Sequence, residues 1–185
     1  MIVDWNVNYM DEPDETKETA VDFFSRLSII YPDSSNIIYE VANDPYLDTD
    51  LDEETDEWED VIKPFASEVI DAVRTNNPNS IVIVGVPDRG ADIEGASEAP
   101  LDYENVAYAY RFFSATTGDI TREKVQHAID NGICVFATEW GFGNTNGNSG
   151  ISTGKSSEWI EFFKENQISW CNYAIGSNTA ADSNA

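Results

Sequence analysis

The feature that most constrains this chain is an alternation of two periodicities. Runs rich in β-branched and aromatic residues occur at 2 to 7 (IVDWNV), 36 to 43 (NIIYEVAN), 80 to 87 (SIVIVGVP), 105 to 114 (NVAYAYRFFS), 132 to 139 (GICVFATE) and 168 to 175 (ISWCNYAI). Each reads as a strand. Between most of them the apolar residues change to helical spacing: Ala20, Phe24, Leu27 and Tyr31, then Trp58, Ile62, Phe65, Val69 and Val73, then Trp159, Ile160 and Phe163. A Thr121 cap is expected to open a short helix over 121 to 130. A strand and a helix in about 30 residues is the repeat of right-handed βαβ units, which predicts an α/β fold with about six parallel strands. An open doubly wound sheet and a (β/α)8 barrel both accommodate that repeat. The segment 88 to 104 lacks periodicity and reads as a long loop. One domain is expected over 1 to 176, followed by a frayed Ser, Asn and Ala-rich tail over 177 to 185.

Composition removes several function classes. No apolar run approaches the roughly 18 residues needed to cross a bilayer, and Met1 leads straight into IVDWNV without a basic leader. The chain has 185 residues, 35 of them Asp or Glu against 10 Lys or Arg, for a net charge of −25. Such a field repels nucleic acid and anionic membrane surfaces, so neither is expected as a partner. Its self-repulsion calls for screening cations, which fits either a high-salt source or a merely acidic secreted enzyme. Cys134 and Cys171 make no disulfide framework and are expected as buried free thiols. Counting by the strand period of two from Glu139 puts Cys134 on the opposite face of its strand. His127, the single histidine, belongs on the solvent side of its helix, and one histidine builds neither a zinc site nor a histidine-based triad. No metal or cofactor is expected. The stretch TGKSS (153 to 157) lacks both the first glycine and the preceding strand of a phosphate-binding loop.

Two strand-like runs end on an acid. YEVANDP (39 to 45) delivers Asn43 and Asp44, and VFATEWG (135 to 141) delivers Glu139, each where a strand gives way to a loop. Paired carboxyls on one rim are what a retaining glycosidase needs, one as nucleophile and the other as acid and then base.

The segments VDWNVN, NIIYEVANDP, WEDVIKPFASEVIDAVRTNNPNSIVIVGVP, NVAYAYRFFSATTGD, GICVFATEWG and ISWCNYAI resemble, in order and spacing, those of glycoside hydrolase family 5 cellulases. The resemblance implies a TIM barrel that cleaves β-1,4-glucan with retention, secreted, with the acid/base at the end of strand four and the nucleophile at the end of strand seven. On this alignment IVDWNV corresponds to the third strand and ISWCNYAI to the eighth. The expectation is an incomplete barrel of about six strands, lacking the first two βα units and completed by a missing N-terminal segment or by self-association. Glu139 takes the nucleophile's place, Asp44 the acid/base place, and Asn43 the place of a donor to the sugar 2-hydroxyl.

The surrounding residues depart from the family pattern. Asn6, Arg111 and Thr117 stand where histidines are usual, Phe113 where a tyrosine bonds the nucleophile, Tyr173 and Arg89 where tryptophans stack on sugar, and Asp44 where a glutamate is usual. Trp140 is retained, and Trp5 and Trp170 are candidates for stacking or for the core. Aspartate withdraws the acid by about 1.5 Å, and a misplacement near 1 Å can cost roughly a hundredfold in rate. Arg111 is expected to pair with Glu139 and to occupy space meant for sugar. The resemblance therefore implies either a retaining endo-β-1,4-glucanase or a degenerate, inactive relative that at most binds carbohydrate.

Overall fold

The computed structural model describes residues 1–7, 13–45, 55–144 and 150–173. The tail over 177 to 185 and much of the acidic stretch 48 to 60 lie outside them. Six strands form one sheet: β1 (Ile2–Asn6), β2 (Ile38–Asn43), β3 (Ile81–Gly85), β4 (Val106–Phe113), β5 (Val135–Gly141) and β6 (Ser169–Asn172). All neighbours are parallel. Their spatial order is β1-β2-β3-β4-β5-β6, identical to their order in the chain. A doubly wound sheet reverses direction at a switch point, whereas a barrel never does. The unbroken order therefore selects the incomplete (β/α)8 barrel.

Helices α1 (Pro13–Ile30), α2 (Lys63–Arg74), α5 (Asp119–Asp130) and α6 (Thr153–Glu165) lie along the connections. They cover one face of the sheet. Tyr39, Val41, Val82, Val84, Tyr108, Tyr110 and Phe112 point from the strands into this layer and meet Phe24, Phe65, Val69, Trp159 and Phe163 from the helices. The other face carries a smaller cluster, Ile83, Ala107 and Ala109, with Ile2, Ile38 and Phe136 against it. That is the face a closed barrel turns inward. It is open here toward β1 and β6, the two edges of the sheet.

Four expectations need correction. The stretch 88 to 104 is not a plain loop: it holds a tight turn, α3 (Pro87–Gly90), and a short helix, α4 (Glu94–Glu98). Neither is long enough to show a helical period. In α3, Asp88, Arg89 and Gly90 all take left-handed φ angles of 52°, 55° and 83°. The helix expected from Thr121 starts at Asp119 with Gly118 at the cap, so Thr121 lies inside it. The helix around Trp58 begins as a π-helix, Glu57–Ile62, whose Asp56 side chain accepts from the Glu59 N–H before the coil tightens into α2. Finally, Cys134 and Cys171 are free but exposed rather than buried. Cys134 precedes β5, and Cys171 sits on the edge strand β6, where all four residues are exposed.

Candidate active site

Two irregularities in the sheet aim the site. Along β1 and β2, Asp4 faces Glu40 and Asn6 faces Asn43, so two steps on β1 match three on β2. Asp4 and Asn6 share a face by the period of two, and therefore Glu40 and Asn43 do as well. The extra residue turns Asn43 onto the inner face when plain alternation would send it outward. The same occurs on β5: Ala109 faces Phe136 and Arg111 faces Glu139, with three steps against two. Bulges at barrel rims re-aim side chains in this way. The first bulge presses the Ala42 carbonyl toward β3, and only a glycine fits there: a Cβ on Gly85 would lie 1.9 Å from Ala42 O and 2.9 Å from Pro45 Cδ. The second bulge also explains the misplaced Cys134, because period counting from Glu139 fails across it.

At the rim, Asp44 and Glu139 meet on one guanidinium. Arg111 Nη1 lies 2.7 Å from Asp44 Oδ1, and Nη2 donates to Glu139 Oε2. All three side chains are largely enclosed, 18% exposed for Arg111 and Asp44 and 24% for Glu139. The stem of Arg111 rests on Gly90, where a Cβ would stand 3.0 Å from Arg111 Cγ and Cδ. Asp44 takes a left-handed φ of 58°. Aspartate tolerates that region better than most residues. Around the trio opens a cleft of about 460 Å³ lined by Asp88, Arg89, Phe112, Phe113 and Tyr173. Phe113 and Tyr173 meet edge to face at 6.4 Å and form its apolar wall.

Asn43 is buried beneath the rim, 3% exposed. Its Nδ2 donates to Asp4 Oδ2 at 2.8 Å and to Glu139 Oε1 at 3.2 Å. The other sequence candidates lie farther off. Asn6 is exposed at the end of the edge strand. Thr117 is turned away from the carboxylates, accepting from Trp159 Nε1 at 3.1 Å and donating to the Phe113 carbonyl at 3.3 Å. Trp140 is fully buried on the helix side, packed against Phe112, Phe142, Phe163 and Trp170. Trp5 packs on Phe23 and Phe24, and Trp170 on Phe163. His127 is exposed on α5.

Two carboxyls that sequence reading passed over belong to this cluster. Asp4 accepts from Asn43. Its pKa is raised, chiefly by desolvation of the carboxyl and further by the charges of Glu139 and Asp44, against the Asn43 hydrogen bond and Arg111. Glu40, 3% exposed, lies on the inner face below. Burial pushes its carboxyl up to about 7. The period of two places Asp4 on the same face as the candidate Asn6, whereas the β2 bulge hides Glu40, which plain alternation would set opposite Asn43. Among the described residues no group of His, Cys, Asp and Glu is arranged to hold a metal ion, and no helix is long and apolar enough to cross a membrane.

The chain matches the family model described as cellulase, glycosyl hydrolase family 5, over residues 1–179. It is 37% identical over 175 residues to endoglucanase A of Evansella cellulosilytica, covering 95% of this chain and 35% of that protein. It is 35% identical over 175 residues to an endoglucanase of Clostridium saccharobutylicum, covering 95% and 38%. Among solved structures, a highly halotolerant GH5 cellulase from an Icelandic hot spring isolate superposes with a TM-score of 0.85 at 30% identity, covering 96% of this chain and 56% of that one. The catalytic domain of alkaline cellulase K superposes with a TM-score of 0.80 at 27% identity and the same coverage. The chain thus spans well under half the length of the two endoglucanases. With a family match over nearly its whole length and a sheet wound as an incomplete barrel, this chain belongs to the cellulase family, glycosyl hydrolase family 5.

Proposed function

We propose that this chain carries the catalytic rim of a retaining glycoside hydrolase acting on β-1,4-glucan, with Glu139 as nucleophile and Asp44 as acid and then base. The observation that carries the reading is the convergence of Asp44 and Glu139, from the ends of strands β2 and β5, on one guanidinium. Carboxylates held by one planar fork are close neighbours, as a double displacement requires. Glu139 attacks the anomeric carbon while Asp44 protonates the departing glycosidic oxygen, leaving a glycosyl ester on Glu139. Asp44, now a carboxylate, takes a proton from water, and that water displaces the ester with net retention. Phe113 and Tyr173 offer the sugar an apolar wall. Arg111 has to release both carboxylates as the sugar enters, so part of the binding energy goes into opening an ion pair. A polymeric glucan does not enter cells, which places the reaction outside them.

A second reading is favoured by one specific feature. Arg111 pairs with both carboxylates and stands between them, and Phe113 has no hydroxyl to give Glu139. A site locked in that way would bind glucan at most. Initial rates of reducing-end release from a soluble mixed-linkage β-glucan decide between the two. The proposal expects measurable turnover that Glu139→Gln abolishes. Rates equal in the two proteins, with glucan still retarding the chain in affinity electrophoresis, would establish the binding-only reading.

A further inference from the structure

We propose that Asp4 is a positioning residue for the nucleophile, holding the Asn43 amide so that its second N–H stays on Glu139. The inference rests on the function proposed above and deepens it. A carboxamide nitrogen has two hydrogens, and both are committed here, one to Asp4 Oδ2 at 2.8 Å and one to Glu139 Oε1 at 3.2 Å. The reverse orientation would set the amide oxygen against two carboxylates, so the amide cannot flip without repulsion. Its oxygen offers no alternative anchor: Asn43 Oδ1 is buried and has no hydrogen-bond partner. The side chain is therefore oriented by the two acids that flank it, and Asp4 is the one outside the bond-making pair.

The arrangement assigns different jobs to the two oxygens of Glu139. Oε2 is held by Arg111, the group that a sugar must displace, and Oε1 by Asn43. Once Arg111 has moved, the Asp4–Asn43 arm is what still fixes the carboxylate's rotation. It also draws Asn43 away from the sugar 2-hydroxyl, the partner that the family resemblance assigns to it. Asp4 reaches this position because the β2 bulge brings Asn43 back to the face that β1 presents with Asp4.

The test uses the 185-residue chain and two substitutions. Asp4→Ala removes the acceptor, and Asp4→Asn keeps a neutral one in the same place. Asp4 lies on an edge strand and is exposed as a residue, with only its carboxyl end partly desolvated against Asn43, so both variants should fold, which a thermal melt checks. The first readout is covalent labelling of Glu139 by an activated 2-deoxy-2-fluoro-cellobioside, resolved into maximal labelling rate and reagent affinity. Asp4→Ala is expected to lower the maximal rate by about tenfold or more with affinity unchanged, and Asp4→Asn to recover part of it. Equal maximal rates in all three proteins would overturn the proposal. The second readout needs no chemistry: the side-chain amide resonances of Asn43 should shift in Asp4→Ala and remain close to wild type in Asp4→Asn. Amide resonances that ignore both substitutions overturn the proposal even in a chain that never labels, whereas absence of labelling in the wild type with the amide shift present defeats the proposed catalysis and upholds Asp4's hold on Asn43.

Discussion

Burial pushes the Glu40 carboxyl from an ordinary 4.5 up to about 7, with Asp4 and Glu139 adding to the rise and Thr138 and Arg111 opposing it. Because the folded state holds the Glu40 proton more tightly than the unfolded chain, stability is fully present below about pH 4.5 and falls as pH rises through about 7. The full difference is on the order of 3 kcal/mol. Glu40→Gln is therefore expected to flatten the decline of the unfolding midpoint between pH 5 and 8 and to raise the midpoint at pH 8. A wild type whose midpoint climbs steadily over that interval, or a Gln variant with an unchanged slope, contradicts this. Nothing in the sequence flagged Glu40. It sits in a run, Tyr39 to Asn43, that is buried throughout, so no alternation separates an inward acid from an outward valine. Asp44 and Glu139 were legible because each lies where a strand gives way to a loop, and Arg111 only because the family resemblance sets it where a histidine is usual; that it lies directly opposite Glu139 is a property of the β4–β5 register.

At the level of elements, the six strands were readable from β-branched runs, three of the helices from apolar spacing and a fourth from its expected Thr121 cap. On periodicity alone barrel and doubly wound sheet stayed undecided, because neighbour order is a property of three dimensions; the family resemblance implied the incomplete barrel, and the strand order bears it out. The bulges were invisible for a similar reason. An added residue in a continuously buried run leaves the pattern apolar, so only the register betrays it, and Cys134 was assigned to the wrong side on that account. The β2 bulge depends on Gly85, where a methyl group would lie 1.9 Å from the Ala42 carbonyl. That contact is with backbone and cannot be relieved by a rotamer. Gly85→Ala should destabilise the fold by about 1–3 kcal/mol, read as a lower urea midpoint at unchanged slope, and should displace Asn43 and Asp44 together. A variant with wild-type stability would show that the bulge yields easily and that it does not hold the rim.

For the molecule as a whole, charge dominates. A net charge of −25 on 185 residues is relieved locally, among the described residues, by ion pairs such as Lys17 with Glu68, Arg26 with Asp22, Lys63 with Glu59, Arg122 with Asp119 and Glu158, and Lys124 with Glu94. Isolated surface pairs contribute roughly 0–1 kcal/mol each and leave most of the acids unpaired. The screening length falls from about 10 Å at 0.1 M salt to about 3 Å at 1 M. The unfolding midpoint should therefore rise between 0.1 and 1 M NaCl. A flat profile would mean that the acids are spaced widely enough for repulsion not to matter, and would remove the reason to infer a high-salt source.

The central claim is that Asp44 and Glu139 form one retaining site latched by Arg111. Trapping tests it most directly: incubation with an activated 2-deoxy-2-fluoro-cellobioside, followed by peptide mapping of the adduct in the wild type, in Arg111→His, and in Arg111→His with Phe113→Tyr and Asp44→Glu. A good leaving group barely needs the acid but always needs the nucleophile. The account predicts an ester on Glu139 in the wild type, faster labelling when Arg111 is replaced, and a gain in glucan hydrolysis in the triple variant that exceeds the product of the separate gains. Absence of label from Glu139 in all three proteins would contradict it.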